Sequence, residues 1–380
     1  MQYKLSKRHQ VLAFYSMSIV NVMWASGAPF ASTHKVHHQI LSQVPATVPI
    51  ETWLLQGRAS ECGVFVGNVR EWGLSSSRLK GRHIWRLTQP WMHSRFNSAI
   101  KTSAASVMLL DGLGVARALL PIIEGLPPLR AVVLFHGSTR LNAVDRALFQ
   151  RLPASRLTLV AVSQTLASSL SQDLQIPVMT LRSAFDPAAF RSDLLTREQA
   201  RARLGLPLDN TPVLGAIGRL VAGKGFGCLL DAFAAALQDR PDLQLVIVGE
   251  GAIRAELESR IEASGLRGKV MLPGHLNDVA QLYKAFDWVA MPSLNEGLGL
   301  ILQEAVMAGV PVLASDLDVF REQLANTGWF APVEDVSAWR DLIVQAFNAP
   351  ARMIAADQYQ ELAPDKAWVN FTQASRALLL

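Results

Sequence analysis

The chain has 380 residues, half of them hydrophobic, and a formal net charge of +5. That length and apolar content bury a large core and point to two domains. Cys62 and Cys228 are the only cysteines and lie far apart in sequence, which excludes a disulfide framework and a four-ligand zinc site and makes a reducing compartment the expectation.

In chain order, Lys4, Lys7 and Arg8 precede the apolar run Val11-Leu12-Ala13-Phe14-Tyr15, which superficially resembles a secretory signal. Ser16, Ser18 and Asn21 interrupt it, and it ends in Ser26-Gly27-Ala28-Pro29, so a buried first strand at 10 to 16, a glycine loop and a helix explain it better. No run of about 18 uninterrupted apolar residues occurs, so no transmembrane helix is expected. His34, His37 and His38 cluster without a carboxylate or cysteine group beside them, and no metal is expected.

The net charge conceals an asymmetry. Residues 1 to 150 hold 16 Lys or Arg against 6 Asp or Glu, whereas the remaining residues hold 20 against 25. So basic a half should meet something anionic. Arg78, Lys80, Arg82, Arg86, Arg95 and Lys101 are interleaved with Trp85, Trp91, Met92 and Phe96, a mixture that suits an anionic membrane surface or an ordinary solvated basic face. No nucleic-acid-binding module accompanies the charge, and nucleic acid is not expected as a partner.

Strand candidates follow at 52 to 55, 107 to 110, 131 to 135 and 157 to 162, then at 213 to 217, 243 to 248, 269 to 272, 287 to 291 and 311 to 314. Amphipathic stretches such as 227 to 238, 252 to 264 and 302 to 308 separate them. This is the pattern of parallel sheets with crossover helices, hence an α/β chain of two Rossmann-like domains with ligand at the carboxyl ends of the strands. Turn formers from Leu204 to Asn210 place the boundary, giving domains 1–204 and 205–365, followed by a terminal helix, 366–380.

The second half opens on Val213-Leu214-Gly215-Ala216-Ile217-Gly218-Arg219-Leu220-Val221-Ala222-Gly223-Lys224-Gly225. A buried strand ends there in a glycine-rich loop with two cations, which lets backbone approach a phosphate and supplies charge-assisted hydrogen bonds. The spacing is neither the dinucleotide fingerprint nor a Walker A loop, which weakens a dehydrogenase or ATPase reading. Further on, Glu296-Gly297-Leu298-Gly299-Leu300-Ile301-Leu302-Gln303-Glu304 sets two carboxylates around two glycines, one at a turn and the other about one turn inside a helix. The free amides between them suit a ligand that is both polyhydroxylated and anionic.

Gly218-Arg219 with Lys224, then Val248-Gly249, Pro273-Gly274-His275 and the Glu296 to Glu304 tract, together resemble the retaining GT-B glycosyltransferases of family 4, of lipopolysaccharide-core type. The resemblance is specific over 213 to 330 and looser elsewhere. It implies two Rossmann-like domains facing across a cleft, the first for acceptor and the second for nucleotide sugar. It gives Arg219 and Lys224 to the donor diphosphate, Glu296 to the donor sugar and Glu304 to the ribose. Backbone at Gly297, Leu298, Gly299, Leu300 and Ile301 would line the diphosphate or sugar, and Leu276 would lie near the nucleobase. Ser26-Gly27-Ala28 stands where the family carries a two-glycine loop at the donor phosphate, with Ala28 replacing the second glycine. His136, in Leu134-Phe135-His136-Gly137-Ser138, would contact donor sugar or acceptor. The family's Pro-Asn-Gly tract is absent, and Arg182-Ser183-Ala184-Phe185-Asp186 occupies its place.

The implied reaction moves a hexose, from UDP-hexose by expectation, to a cell-envelope glycolipid or polysaccharide with retention and without cofactor or metal. The catalytic set is then His136, Glu296, Arg219 and Lys224. The implied location is cytoplasmic, on the inner face of the membrane. A sugar-nucleotide epimerase or phosphorylase on the same architecture, and a silent nucleotide-sugar-binding subunit, stay open at this stage.

Overall fold

A computed structural model describes residues 17–24, 32–61, 65–75, 77, 87 and 89–380. The first sheet takes β1 (Ile19–Met23), β2 (Ile50–Leu54), β3 (Asn68–Glu71), β4 (Val107–Asp111), β5 (Arg130–Phe135), β6 (Leu157–Ala161) and β7 (Val178–Thr180). The second takes β8 (Val213–Ile217), β9 (Gln244–Val248), β10 (Val270–Gly274), β11 (Trp288–Met291), β12 (Val312–Ser315) and β13 (Trp329–Ala331). Their orders are β3-β2-β1-β4-β5-β6-β7 and β10-β9-β8-β11-β12-β13, with every pairing parallel. Both are doubly wound α/β sheets that reverse direction beside their first strand, at β1/β4 and at β8/β11. A crevice opens at such a switch point, and ligands bind there, beyond the carboxyl ends of the strands.

Helices cover both sheets: α1 (Ser32–Leu41), α2 (Gln89–Ser103), α3 (Gly112–Glu124), α4 (Ala143–Gln150), α5 (Gln164–Leu174) and α6 (Pro187–Asp193) in the first half. The second half adds α7 (Arg197–Leu204), α8 (Phe226–Ala236), α9 (Arg254–Ala263), α10 (Leu300–Met307), α11 (Asp318–Leu324), α12 (Val336–Ala346), α13 (Ala351–Leu362) and α14 (Pro364–Leu379). Parallel strands need these crossovers, and burial on both faces explains the apolar runs Val107-Met108-Leu109-Leu110 and Leu245-Val246-Ile247-Val248. Among the described residues no helix is long and apolar enough to cross a membrane.

The strand expected at 10 to 16 lies outside the described residues, and the first described strand is Ile19–Met23, whose Asn21 had read as an interruption. Asn21 is fully buried yet satisfied, its amide reaching Thr52 Oγ1 at 3.3 Å. Beside the boundary expected at 204/205, α7 packs Ala200 and Leu204 into the second core. Arg201 fixes it there: 1% exposed, it donates to the carbonyls of Ala285, Pro207, Asp209 and Thr211 and pairs with Asp287. Removing one side of so buried a network leaves several polar groups unpaired. Arg201→Ala is therefore expected to lower unfolding stability by about 3–5 kcal/mol, read by denaturant titration.

The chain crosses between domains more than once. The terminal helix α14 buries Phe371, Leu378 and Leu379 in the first core, and Arg130 donates to the Leu378 carbonyl at 3.0 Å. Glu322 on α11 accepts from the backbone amides of Gln164 and Thr165, each at 2.9 Å, at the start of α5. A second-domain carboxylate thus caps a first-domain helix, where the positive end of its dipole favours it.

Candidate active site

The second-domain wall is built by glycines that let loops touch backbone to backbone. A Cβ on Gly249 would sit 1.8 Å from the Gly218 carbonyl oxygen, and the loop after β8 lies over the end of β9, with Leu220 N donating to Glu250 O at 2.8 Å. A Cβ on Gly225 would sit 1.9 Å from Pro292 O, and Leu294 N donates to Gly223 O at 2.9 Å. The loops after β8 and β11 are thereby joined across the switch point. Their union brings Lys224 into an ion pair with Glu296, which also accepts from Ser293 Oγ at 2.9 Å. Arg219 is exposed, and its guanidinium has no hydrogen-bond or ion-pair partner among the described residues.

The Glu296 to Glu304 tract joins this wall to the first domain. A Cβ on Gly297 would lie 1.8 Å from the His136 carbonyl oxygen, and Asn295 Nδ2 donates to Ser138 Oγ at 3.1 Å. Gly299, at φ +84°, turns the chain into α10, and a Cβ there would press to 2.6 Å from the Phe320 ring. Gln323 holds the turn by donating to the Leu298 carbonyl at 2.6 Å while accepting from Gln303. The amides of Leu300 and Ile301 open the helix and have no acceptor within it, so an anion would meet N–H groups at a positive helix end.

Glu304 lies one turn further in and is only 3% exposed. One oxygen accepts from Tyr283 OH at 2.8 Å and the other from Lys35 Nζ of α1 at 2.5 Å. Burial, and then the Glu304 carboxylate, push the Tyr283 hydroxyl well above its usual range, so it stays a donor. Lys35 also lies 4.9 Å over the Phe185 ring. The Arg182 to Asp186 tract thus contributes an aromatic ledge, and its Asp186 caps α6 by accepting from the amides of Ala188 and Ala189.

The first-domain wall gathers at the ends of β1, β4 and β5. His136 follows β5 and places Nε2 3.5 Å from Oδ1 of Asp111, the last residue of β4. Burial, with His34 nearby, drives the His136 imidazole down to about 3, while burial lifts Asp111 to about 6 against the opposing hydrogen bond from Trp24 N. The two effects on stability have opposite signs. A depressed His136 favours the fold above its unfolded value of 6.5 and loses that contribution as pH falls toward 3. A raised Asp111 favours the fold below 3.8 and loses that contribution as pH rises through about 6. The expected consequence is a His136 ring whose NMR resonances stay those of neutral imidazole between about pH 8 and pH 5. A midpoint inside that window would contradict the burial.

The structure therefore brings Gly218, Lys224, Gly249, Glu296, Gly297, Leu298, Gly299, Leu300, Ile301 and Glu304 into one wall facing His136, with Arg219 exposed beside it. Leu276, just beyond β10, is half-buried against the second core. Gly27 and Ala28 lie outside the described residues, as do Trp85, Arg78, Lys80, Arg82 and Arg86. Met92 and Phe96 of the basic, aromatic stretch prove to be core, leaving Trp91 exposed with Arg95 stacked on it at 4.8 Å. Lys35, Tyr283 and Asp111 escaped the sequence reading. Asp111 alone carried a signal, a carboxylate closing the apolar run Val107-Met108-Leu109-Leu110.

Residues 196–362 match the family model described as glycosyl transferases group 1. The D-inositol 3-phosphate glycosyltransferase of Corynebacterium urealyticum is 32% identical over 185 residues, 46% of this chain and 43% of that protein. The lipopolysaccharide core biosynthesis mannosyltransferase LpsB of Rhizobium meliloti is 28% identical over 193 residues, 48% of this chain and 54% of that protein. The chain thus spans about half the length of the curated relatives it matches. Among solved structures, Anabaena HepE in complex with UDP and glucose superposes with a TM-score of 0.73 at 18% identity, covering 94% of this chain and 98% of that one. WaaG, a glycosyltransferase involved in lipopolysaccharide biosynthesis, superposes with a TM-score of 0.71 at 18% identity and the same coverage. The segment that carries the Arg219 to Glu304 wall thus matches the glycosyl transferases group 1 model, and the chain has the two-domain GT-B fold of these neighbours.

Proposed function

We propose that the chain transfers a hexose from UDP-hexose to a glycolipid or polysaccharide of the cell envelope, with retention of anomeric configuration and without a metal. The observation that carries this reading is the single wall formed by Lys224, Glu296, the α10 amides and Glu304, inside the segment that matches the group 1 model. Breaking a sugar–phosphate bond places negative charge on the diphosphate and positive charge on the anomeric carbon. Arg219, Lys224 and the amides of Gly299, Leu300 and Ile301 would stabilise the first, as fixed charges and dipoles do where charge develops. Glu304 would hold the ribose hydroxyls, and Lys35 would yield that position when donor enters. Glu296, oriented by Ser293 and Lys224, would hold the hexose rather than attack it, because a covalent route needs a second carboxylate across the sugar. The leaving phosphate would draw the acceptor proton on the same face, and the neutral His136 imidazole would bind a sugar hydroxyl.

The envelope acceptor is supported by the similarity to LpsB and by the basic first domain. Arg95, sandwiched between the faces of Trp72 and Trp91, with Trp91 60% exposed and Leu87 85% exposed, offers a cationic and aromatic face for anionic headgroups on the inner leaflet.

Thermal melting with UDP-, GDP- and ADP-hexoses tests the donor, since a ligand bound only by the native state raises the midpoint by mass action. One nucleotide class is expected to raise it, UDP by this reading, and the anomeric proton coupling of the product should match that of the donor. A product of opposite configuration would overturn retention, and no shift with any nucleotide sugar would overturn the donor site. Donor incubated alone separates transfer from epimerisation, which needs no acceptor.

A further inference from the structure

We propose that His37, Asp111 and His136 form a binding site for one borderline divalent transition cation, Zn²⁺ by preference, in the floor of the first domain. Three potential ligand atoms, one from each side chain, lie within 4.8 Å of one another. His136 Nε2 and His37 Nε2 stand 3.5 Å and 4.0 Å from the same Asp111 oxygen, Oδ1, and both nitrogens are buried with no hydrogen-bond partner among the described residues. Orphaned buried nitrogens are rare and call for an occupant.

The surrounding bonds fix what these atoms offer. His37, 1% exposed, engages Asn21 Oδ1 through Nδ1 at 2.7 Å. The amide of Asn21 is itself engaged with Thr52 Oγ1, so Asn21 presents its oxygen and the His37 proton must sit on Nδ1. That leaves a lone pair on Nε2, aimed at the Asp111 carboxylate, where no proton separates the two acceptors. Trp24 N donates to Asp111 Oδ2 at 3.3 Å and turns Oδ1 toward the imidazoles. A histidine that donates its other ring N–H to a side-chain oxygen, and a carboxylate held by a backbone amide, are the outer-sphere partners that metal ligands carry. In a tetrahedral zinc site, with ligands at about 2.0–2.1 Å, neighbouring donor atoms stand roughly 3.3 Å apart, so the triad, within 4.8 Å, needs a contraction of at most about 1.5 Å. Two imidazoles and one carboxylate suit Zn²⁺, whereas Mg²⁺ and Ca²⁺ demand more oxygens than are here. Three protein ligands would leave a position open toward the cleft.

The site's existence does not rest on the transfer reading. Its effect does: a cation on His136 Nε2 would take that nitrogen from the sugar, so Zn²⁺ is expected to inhibit transfer rather than support it.

The test uses the full chain stripped of metal, with Zn²⁺ measured by competition against a chromogenic chelator and Co²⁺ by its visible ligand-field bands. One Zn²⁺ per chain is expected in the wild type and in His93→Ala, a change at an exposed histidine outside the triad. His37→Ala and Asp111→Asn are expected to abolish it, and Asn21→Ala to weaken it by about 10–100-fold. Wild-type binding that survives both His37→Ala and Asp111→Asn would overturn the proposal. Should those variants fail to fold, the wild type decides alone: Co²⁺ bands of a low-symmetry nitrogen and oxygen site support it, and their absence at stoichiometric Co²⁺ overturns it. Donor binding is scored separately by thermal shift, so a failed donor site and a failed metal site give different results.

Discussion

Glu304→Ala is expected to abolish the thermal shift given by UDP-hexose and to destabilise the free protein at the same time. Its side chain is 3% exposed, and it accepts from both Tyr283 OH and Lys35 Nζ. Tyr283 is fully buried, so losing its acceptor leaves a hydroxyl unsatisfied in the core at a cost of about 1–3 kcal/mol. Loss of the donor shift would follow from the missing acceptor for the ribose hydroxyls. Glu304→Gln separates the two effects, since the amide oxygen still accepts from Tyr283 while the charge is gone. It should melt near the wild type yet bind donor weakly. A Glu304→Ala variant with the full donor shift would remove Glu304 from the site.

Lys224→Ala should slow transfer without unfolding the protein. The expected loss in kcat is about 100–1000-fold at saturating donor, the scale of one preorganised charge or donor removed from the place where negative charge develops. Stability should change little, because the Lys224–Glu296 pair is partly exposed and such pairs contribute about 0–1 kcal/mol. Lys224→Arg should restore only part of the rate, since a planar fork does not occupy the place of a compact ammonium. A rise confined to KM would assign Lys224 to uniform donor binding, and an unchanged kcat would remove it from charge stabilisation.

The second domain was the more legible half in sequence. Apolar runs buried on both faces announced β8, β9, β11 and β12 to within a residue or two, because a parallel strand between helices needs no alternation. Apart from the central β1, whose Asn21 read as an interruption, the strands that escaped notice are edge pieces: Asn68–Glu71 is exposed throughout, while Val178–Thr180 and Trp329–Ala331 have three residues each. Their pairing is decided by the neighbouring strand rather than by their own composition. The boundary at 204/205 was drawn from the turn formers Leu204 to Asn210 alone, and the buried Arg201 guanidinium, which ties α7 to the second core, carries no local signal in sequence.

The same contrast holds in the site. Arg219, Lys224, Glu296 and Glu304 were visible because glycines and charges sit at fixed spacings within one stretch of chain. Lys35, Tyr283, Asp111 and His37 were not, because their partners lie on other elements. Lys35 meets Glu304 across 269 positions of sequence. His34, His37 and His38 had no carboxylate beside them in sequence, but the fold brings Asp111 and His136 to His37. Only the order of strands in the first sheet, with β1 next to β4, could have revealed that.

The interdomain contacts give the cleft its present form. Lys35 on Glu304, Gly297 on the His136 carbonyl and Glu322 on the start of α5 hold the two walls together. On the proposed reading, donor would displace the first of these to reach Glu304. The most direct measurement is a structure of the chain with UDP bound. It is expected to place the ribose hydroxyls on Glu304 in place of Lys35 Nζ, with the diphosphate between Arg219, Lys224 and the amides of Gly299, Leu300 and Ile301. UDP bound elsewhere, with the Lys35–Glu304 pair intact, would contradict the account.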